Sequence, residues 1–305
     1  MSVRANGSRK RYLLIGGTGF LGSALHRRLS PEADVVVFAR GSSGSDAANL
    51  VRGDFAETED FGPYLEGIDC VYHLVNLTNP HKAGDLSEDE SLRVLAPTRR
   101  LFEACRRQGV PKVVFISSGG TVYGRQRSLP IPEMATGAPT NAYGQEKQLI
   151  ERWILENADG IDYRIVRLAN PYGPRIGRSK GAGVIEMFLG KALAGKPIQL
   201  LGDGSAIKDY LYVDDAVEAM LAIERYGGAQ RVFNLGSGVG SSLIDLIGAI
   251  EHVIGHPLDI ERLEGRSYDV SYVLDMSRYE CEIGPLAMRS LQEGVAETAR
   301  LMAAM

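Results

Sequence analysis

The sequence predicts an α/β protein, a doubly wound parallel sheet with a smaller C-terminal lobe, and three observations carry that prediction. The apolar run Tyr12 to Ile15 passes directly into Gly16-Gly17-Thr18-Gly19-Phe20-Leu21-Gly22 and then into a helical pattern. Strand-like and helix-like stretches then alternate through the first half of the chain. After Asn170-Pro171-Tyr172-Gly173-Pro174 that alternation gives way to a loop rich in Gly, Lys and Arg, where a second lobe starts. Strand–helix alternation implies parallel strands, because each crossover helix returns the chain to the same end of the sheet.

Taken in order, Gly16, Gly19 and Gly22 recur at spacing three. Such glycines let the backbone turn sharply out of a strand, approach a pyrophosphate without an intervening Cβ, and bring the next helix close to the sheet. The anion then rests on free N–H groups at the positive end of that helix. An ordinary tight turn is the competing reading, and the context weighs against it. Leu21, Ala24, Leu25 and Leu29 follow at helical spacing, Pro31 closes the segment, and Val35 to Phe38 is a continuous apolar strand of the kind buried on both faces.

Further along, Cys70 to Val75 reads as a third strand, Leu92 to Gln108 as a helix, Val113 to Ser117 as a fourth strand, Ala142 to Asn157 as a helix and Tyr163 to Leu168 as a strand. Gly41 to Asn49 is a Gly/Ser-rich loop on the side of the glycine motif. In the second half a helix near Val184 to Ala194 precedes the turn Gly202-Asp203-Gly204. Tyr210 to Val213, a helix from Asp214 to Arg225 and Val232 to Leu235 are placed back in the main sheet. The expected division is therefore a dinucleotide-binding domain over 1–170, rejoined by 210–240, and a second lobe built from 171–209 and 241–305.

The bulk composition fits this plan and excludes others. With 305 residues, 44% hydrophobic and 24% charged, the chain can bury a large core. Lys+Arg 34 against Asp+Glu 38 gives a net charge of −4, so no global basic field points to nucleic acid or a membrane surface. Cys70, Cys105 and Cys281 are odd in number and far apart, and the five histidines have no ligand spacing, so neither a disulfide framework nor a metal site is expected. The first strand begins too early for a signal peptide, which places the expected protein in the cytoplasm.

The chemistry sits in Tyr143-Gly144-Gln145-Glu146-Lys147, where a phenol and an ammonium one helical turn apart face the same spot. A free tyrosine titrates near pKa ~10 and is a poor base at neutral pH; a neighbouring cation stabilises its phenolate. Lys147 supplies one such charge and an oxidised nicotinamide ring would supply another.

These motifs together resemble the extended short-chain dehydrogenase/reductases, in particular the NAD-dependent epimerase/dehydratase group that acts on nucleotide sugars. The glycine motif resembles its GxxGxxG. Gly53-Asp54 resembles its adenine contact, and His73-Leu74-Val75 the loop lining the cofactor. Phe115 to Gly124, FISSGGTVYG, is similar to the strand and loop that carry an active-site hydroxyl. Tyr143 with Lys147 matches YxxxK, and Arg167 to Pro174 matches RxxNxYGP. The resemblance spans nearly the whole chain. It implies a Rossmann-type fold, a homodimer, a nucleotide-sugar-binding C-terminal lobe and a nicotinamide cofactor held by Gly16, Gly19, Phe20, Leu21, Gly22, Arg40, Ser42, Asp54, Phe55, Leu74, Val75, Asn76, Ser117, Tyr143, Lys147 and Asn170. It implies proton transfer by Tyr143 at a sugar hydroxyl, with Lys147 on the nicotinamide ribose. On the substrate side, Lys208 in GDGSAIKDYLYVDD stands where the family usually has arginine, Arg266 resembles a second diphosphate-binding arginine, and Asn170 lies at the lobe junction.

The chain departs from the family pattern at two places. Gly119 stands four residues before Tyr123, where the family usually has Ser or Thr. If the chain is still extended there, side chains 119 and 121 share a face. Thr121 is therefore the expected hydroxyl on the sugar, with Ser118 in reserve. The second departure is at the cofactor. A carboxylate about 20 residues after the first glycine usually takes the adenosine ribose of NAD, whereas an arginine takes the phosphate of NADP. Here Phe38-Ala39-Arg40-Gly41-Ser42 offers arginine and no carboxylate, which favours NADP over NAD by a narrow margin.

Dehydratases of the family usually follow their active-site hydroxyl with an acidic pair, and Gly120-Thr121 has none. The expected activity is a nucleotide-sugar 4-epimerase of UDP-hexose type. The alternatives are an NADP-dependent reductase of a keto-deoxysugar nucleotide and a dinucleotide-binding sensor without turnover.

Overall fold

The computed structural model describes residues 9–41, 49–79, 84–175, 183–263 and 270–304, which divide into two compact units. Ser42 and Arg266 lie outside the described residues. One unit comprises Met1–Ser117 with Thr140–Ile165, and the other Ser118–Pro139 with Val166–Met305.

In the first unit, consecutive apolar residues make strands that must be covered on both faces, and the helices between them do the covering. The order is β1 (Arg11–Ile15), α1 (Phe20–Leu29), β2 (Asp34–Ala39), β3 (Leu50–Arg52), β4 (Cys70–His73), α2 (Glu88–Gln108), β5 (Lys112–Ser118), α3 (Ala142–Asn157) and β6 (Asp162–Leu168). Leu13, Leu14 and Ile15 are all fully buried. Parallel pairing sets β1 between β2 and β4, with Tyr12 opposite both Val35 and Cys70, and β4 beside β5. From β1 the chain moves to β2 on one side and later to β4 on the other. That reversal opens a crevice at the carboxyl ends of the strands, where ligands of such sheets bind.

Local sequence explains the helix ends. Asn141 caps α3 by accepting the Gly144 N–H at 2.8 Å, so the helix begins at Ala142 as expected. α2 starts four residues earlier than its apolar pattern suggests, because Ser87 and Glu90 form a capping box. The strand expected third is fourth, and it ends at His73 rather than Val75. The extra strand, β3, is three residues long and pairs in parallel with β2.

The second unit contains β7 (Asn170–Tyr172), α4 (Val184–Leu193), β8 (Ile198–Leu201), β9 (Lys208–Tyr212), α5 (Val213–Arg225), β10 (Val232–Leu235), β11 (Gly240–Ser241), α6 (Leu243–Ile254), β12 (Ile260–Leu263), α7 (Ser277–Glu282) and α8 (Leu291–Ala303). Its core gathers Tyr172, Phe188, Leu189, Ile198, Tyr210, Leu246, Ile250 and Val295.

The main sheet has seven strands in the order β10-β6-β5-β4-β1-β2-β3. Val232–Leu235 is thus part of it, as expected. Tyr210 to Val213 is not: β9 pairs with β7 and β11 in a separate three-stranded sheet, and β12 pairs with β8. Among the described residues no helix is long and apolar enough to cross a membrane.

Candidate active site

The glycine loop between β1 and α1 has the shape its sequence predicts. Gly16 has φ +86°, a conformation L side chains rarely adopt, and its N–H donates to the Phe38 carbonyl at 2.8 Å, tying the loop to β2. A Cβ on Gly22 would lie 2.6 Å from both the Gly16 carbonyl oxygen and the Gly17 Cα, so the helix can sit this close only with glycine there. α1 has no side-chain cap and no acidic residue in its first turn, which leaves the positive end of its dipole uncompensated.

A cleft of about 420 Å³ opens at this point. Gly16, Gly19, Arg40, Asp54, Phe55, Leu74, Val75 and Asn76, all assigned to the cofactor by the resemblance or by the departure at β2, line it. Gly53, given with Asp54 as the adenine contact, lines it too, and so do Thr18, Phe38, Ala39, Gly41 and Leu77, which were not named as cofactor residues. Phe38 and Gly53 go together, since a Cβ on Gly53 would lie 2.4 Å from the Phe38 ring. Phe20, Leu21 and Gly22 sit in the first turn of α1 rather than in the cleft wall. Asp54 already uses one carboxylate oxygen to accept the Ala56 N–H at 2.9 Å. A cleft over an uncapped helix start, walled by apolar side chains together with Thr18, Arg40, Asp54 and Asn76, fits a dinucleotide with its diphosphate on the glycine loop.

Tyr143 and Lys147 project from the first turns of α3. Lys147 is buried, and its ammonium donates to the Ile116 carbonyl at 3.0 Å and to the Val75 carbonyl, in the cleft wall, at 3.3 Å. The same ammonium lies 4.9 Å from the centre of the Phe115 ring and 5.7 Å from that of Tyr143. Burial pulls its pKa down from 10.5 to about 8, while the negative charges of Glu146 and Glu151 pull it back up. Ser117 is also buried, and its hydroxyl donates to the Glu151 carboxylate. His73 accepts or donates at Thr98 Oγ1, 2.9 Å from its Nε2. Burial first, then the Lys147 charge, keep it neutral by pushing its pKa well below 6.5.

In the second unit the expected hydroxyls occupy a turn, not a strand. The N–H groups of Thr121 and Val122 both donate to the Ser118 carbonyl, at 3.3 and 3.1 Å, and the Gly124 N–H to that of Thr121. The same-face argument for positions 119 and 121 therefore does not hold, because β5 ends at Ser118. Thr121 nevertheless has a buried hydroxyl with no hydrogen-bond partner.

Both glycines of this turn are closely packed, with no free room for a Cβ. A Cβ on Gly119 would lie 2.5 Å from Leu274 Cδ1 and 3.0 Å from the Arg167 carbonyl oxygen, and one on Gly120 would lie 2.6 Å from the Tyr272 ring and hydroxyl. Leu274 is fixed in turn by Asp209, fully buried, which accepts N–H groups from Leu274 at 3.1 Å, Ser237 at 2.7 Å and Gly238 at 3.3 Å. Burial raises the pKa of that carboxyl against the lowering effect of those donors. Lys208, beside it on β9, donates to the Val270 carbonyl and lies 5.2 Å from the centre of the Tyr272 ring. Asn170 opens β7, opposite Tyr210.

Residues 12–236 match the NAD dependent epimerase/dehydratase family. The chain belongs to that family. Within the epimerase/dehydratase family it is similar to a UDP-glucose 4-epimerase of Mycolicibacterium smegmatis, 33% identical over 94% of this chain and 97% of the relative. Among solved structures it is similar to UDP-glucose 4-epimerase from Thermotoga maritima with UDP-glucose, at TM-score 0.85 and 27% identity over 96% of this chain and 99% of that one. It is also similar to the Thermus thermophilus UDP-glucose 4-epimerase complex with NAD, at TM-score 0.78 and 25% identity over 95% and 98%. Other relatives in the family are named as reductases and dehydratases.

Proposed function

We propose that the protein is a nucleotide-sugar 4-epimerase of UDP-hexose type, working through a nicotinamide dinucleotide held in the glycine-loop cleft. The observation that carries this reading is Lys147, whose ammonium reaches the Val75 carbonyl in the cleft wall while lying one helical turn from Tyr143. A phenol held beside a buried cation is fit to lose its proton and then take one from the C4 hydroxyl of the sugar. A nicotinamide bound there would supply reversible hydride acceptance at C4, with inversion depending on the keto sugar turning over within the site.

The chain's own groups supply the rest. Thr121, with its orphan buried hydroxyl, hydrogen-bonds the sugar oxygen, with Ser118 in reserve. Lys208, Asn170 and Arg266 hold the diphosphate and sugar. An acid at position 120 would meet the Tyr272 ring and has room only if that ring moves, which weighs against dehydration and supports an epimerase. The names of the similar epimerases support the UDP-hexose class. Leu92, 62% exposed on α2, and Leu155, 47% exposed on α3, support a homodimer through those helices.

A second reading rests on Arg40, which lines the cleft at the end of β2 with no carboxylate beside it in sequence. An NADP-dependent reductase of a keto-deoxysugar nucleotide would use that arginine on the extra phosphate. One experiment separates the two. UDP-, dTDP- and GDP-hexoses are offered without added cofactor and the product is read by NMR. Inversion at C4 with no net change in the reduced-nicotinamide absorbance supports the epimerase. The same sugars without inversion, together with reduction of a 4-keto-6-deoxyhexose nucleotide that consumes NADPH stoichiometrically, replace it with the reductase.

A further inference from the structure

α3 grips the wall of the cleft through the two residues that separate Gly144 from Lys147. Glu146, although on a helix, is 1% exposed. One carboxylate oxygen accepts the Leu77 N–H at 2.8 Å; the other accepts the Thr78 N–H at 2.7 Å together with the Thr78 hydroxyl. Gln145 holds a later part of the same loop, accepting the Leu86 N–H at 2.7 Å and donating to Asp85 at 2.6 Å. Nothing in the YxxxK pattern requires these two residue types.

The arrangement is specific in sign. Beyond the end of β4 the chain leaves the sheet, so Leu77 and Thr78 have no ladder partner for their N–H groups. The Glu146 anion takes those N–H groups, and the Lys147 cation takes the carbonyl of Val75, two residues earlier. Consecutive residues of opposite charge thus hold opposite backbone dipoles of one short segment. Any slide of that segment strands a buried charge, which is far costlier than losing a neutral contact.

We propose that Glu146 is a positioning residue: by clamping Leu77 and Thr78 it sets the wall Leu74–Leu77 at a fixed place relative to Tyr143 and so shapes the nicotinamide end of the cleft. This rests on the reading of the cleft as a dinucleotide site. The glycine loop and Arg40 define the diphosphate and adenosine end, so Glu146 governs only the other half of the ligand.

The test is binding of NAD+ against ADP by calorimetry on protein freed of cofactor, with NADP+ and adenosine 2′,5′-bisphosphate as the matching pair if the phosphorylated form binds tighter. Two variants are compared, Glu146→Gln, which turns an amide NH2 toward the loop's donors, and Thr78→Val, which removes a single donor. The expected result is NAD+ binding weakened about tenfold in E146Q and about threefold in T78V, with ADP binding changed less than about twofold. NAD+ and ADP falling together, or NAD+ unchanged in T78V, overturns the proposal. T78V alone decides it should E146Q fail to fold. No sugar is involved, so absence of epimerase activity leaves this result standing. Wild-type protein that binds none of the four nucleotides removes the dinucleotide reading and this proposal with it.

Discussion

The Lys147 ammonium lies 5.7 Å from the centre of the Tyr143 ring, on the same face of α3 and one turn along it. If that phenol moves the proton, Tyr143→Phe lowers turnover by about 100-fold to 10,000-fold, the usual worth of a positioned acid–base group, and leaves dinucleotide affinity within about twofold. Steady-state rates with UDP-glucose and a binding titration check both halves. A Phe variant at full speed would end the assignment.

The same lysine makes the rate depend on pH. With its pKa drawn down by burial to about 8, Lys147 is charged below that value and supports the phenolate; above it the charge and the support are lost. The kcat/KM of the free enzyme therefore falls as pH rises through about 8. A profile flat to pH ~10 would contradict this, because an unperturbed lysine titrates only near there.

Thr121 offers a prediction with opposite signs. Its hydroxyl is buried without a partner, so Thr121→Val removes an unsatisfied group of nearly equal shape. Folding stability holds or rises by up to about 1 kcal/mol, while turnover falls. Urea melts and initial rates measured on one preparation check it. Stability falling together with unchanged turnover would make the threonine a packing residue.

Gly119 and Leu274 are coupled. Restoring the family's usual hydroxyl with Gly119→Ser drives a Cβ to 2.5 Å from Leu274 Cδ1, and overpacking of this kind costs about 1–3 kcal/mol. In the double variant with Leu274→Ala the two losses are less than additive, by more than about 0.5 kcal/mol. Strict additivity in denaturant melts would show that the clash relaxes elsewhere.

Arg40 lines the cleft at the end of β2, and its substitution tests the adenosine end. Arg40→Ser lowers affinity for NADP+ by about tenfold or more and that for NAD+ by less than about threefold, since only the former presents a phosphate to the guanidinium. Equal losses would mean that Arg40 stacks on adenine instead.

The fold was largely legible because its strongest signals are local. The apolar run into the glycine loop fixes β1, α1 and β2, and Asn141 before an apolar period fixes the start of α3. β3 escaped because three residues are too few to show a period. The early start of α2 was available in the Ser87 to Glu90 capping pair, but the first turn is acidic and carries no apolar stripe. β9 could not be assigned to its sheet from its own residues, because a short buried strand reads the same in either sheet.

The site was legible to a different depth. Glycines, Tyr143 and Lys147 declare themselves by spacing. Phe38 and Leu77 are cleft residues only because distant segments meet, and Glu146 looks like any helix-surface carboxylate until its burial is known. The turn after Ser118 hid for a related reason: the side chains packed against its two glycines, Leu274 and Tyr272, come from some 150 residues downstream.

Tyr272 has a bearing on how this enzyme can diverge. Because its ring occupies the room a side chain at position 120 would need, an acid arriving there has to displace or shrink that aromatic group and give up core packing. Of the two places where the family's dehydratases carry their acids, 120 is therefore the one this chain can fill only after a change at 272.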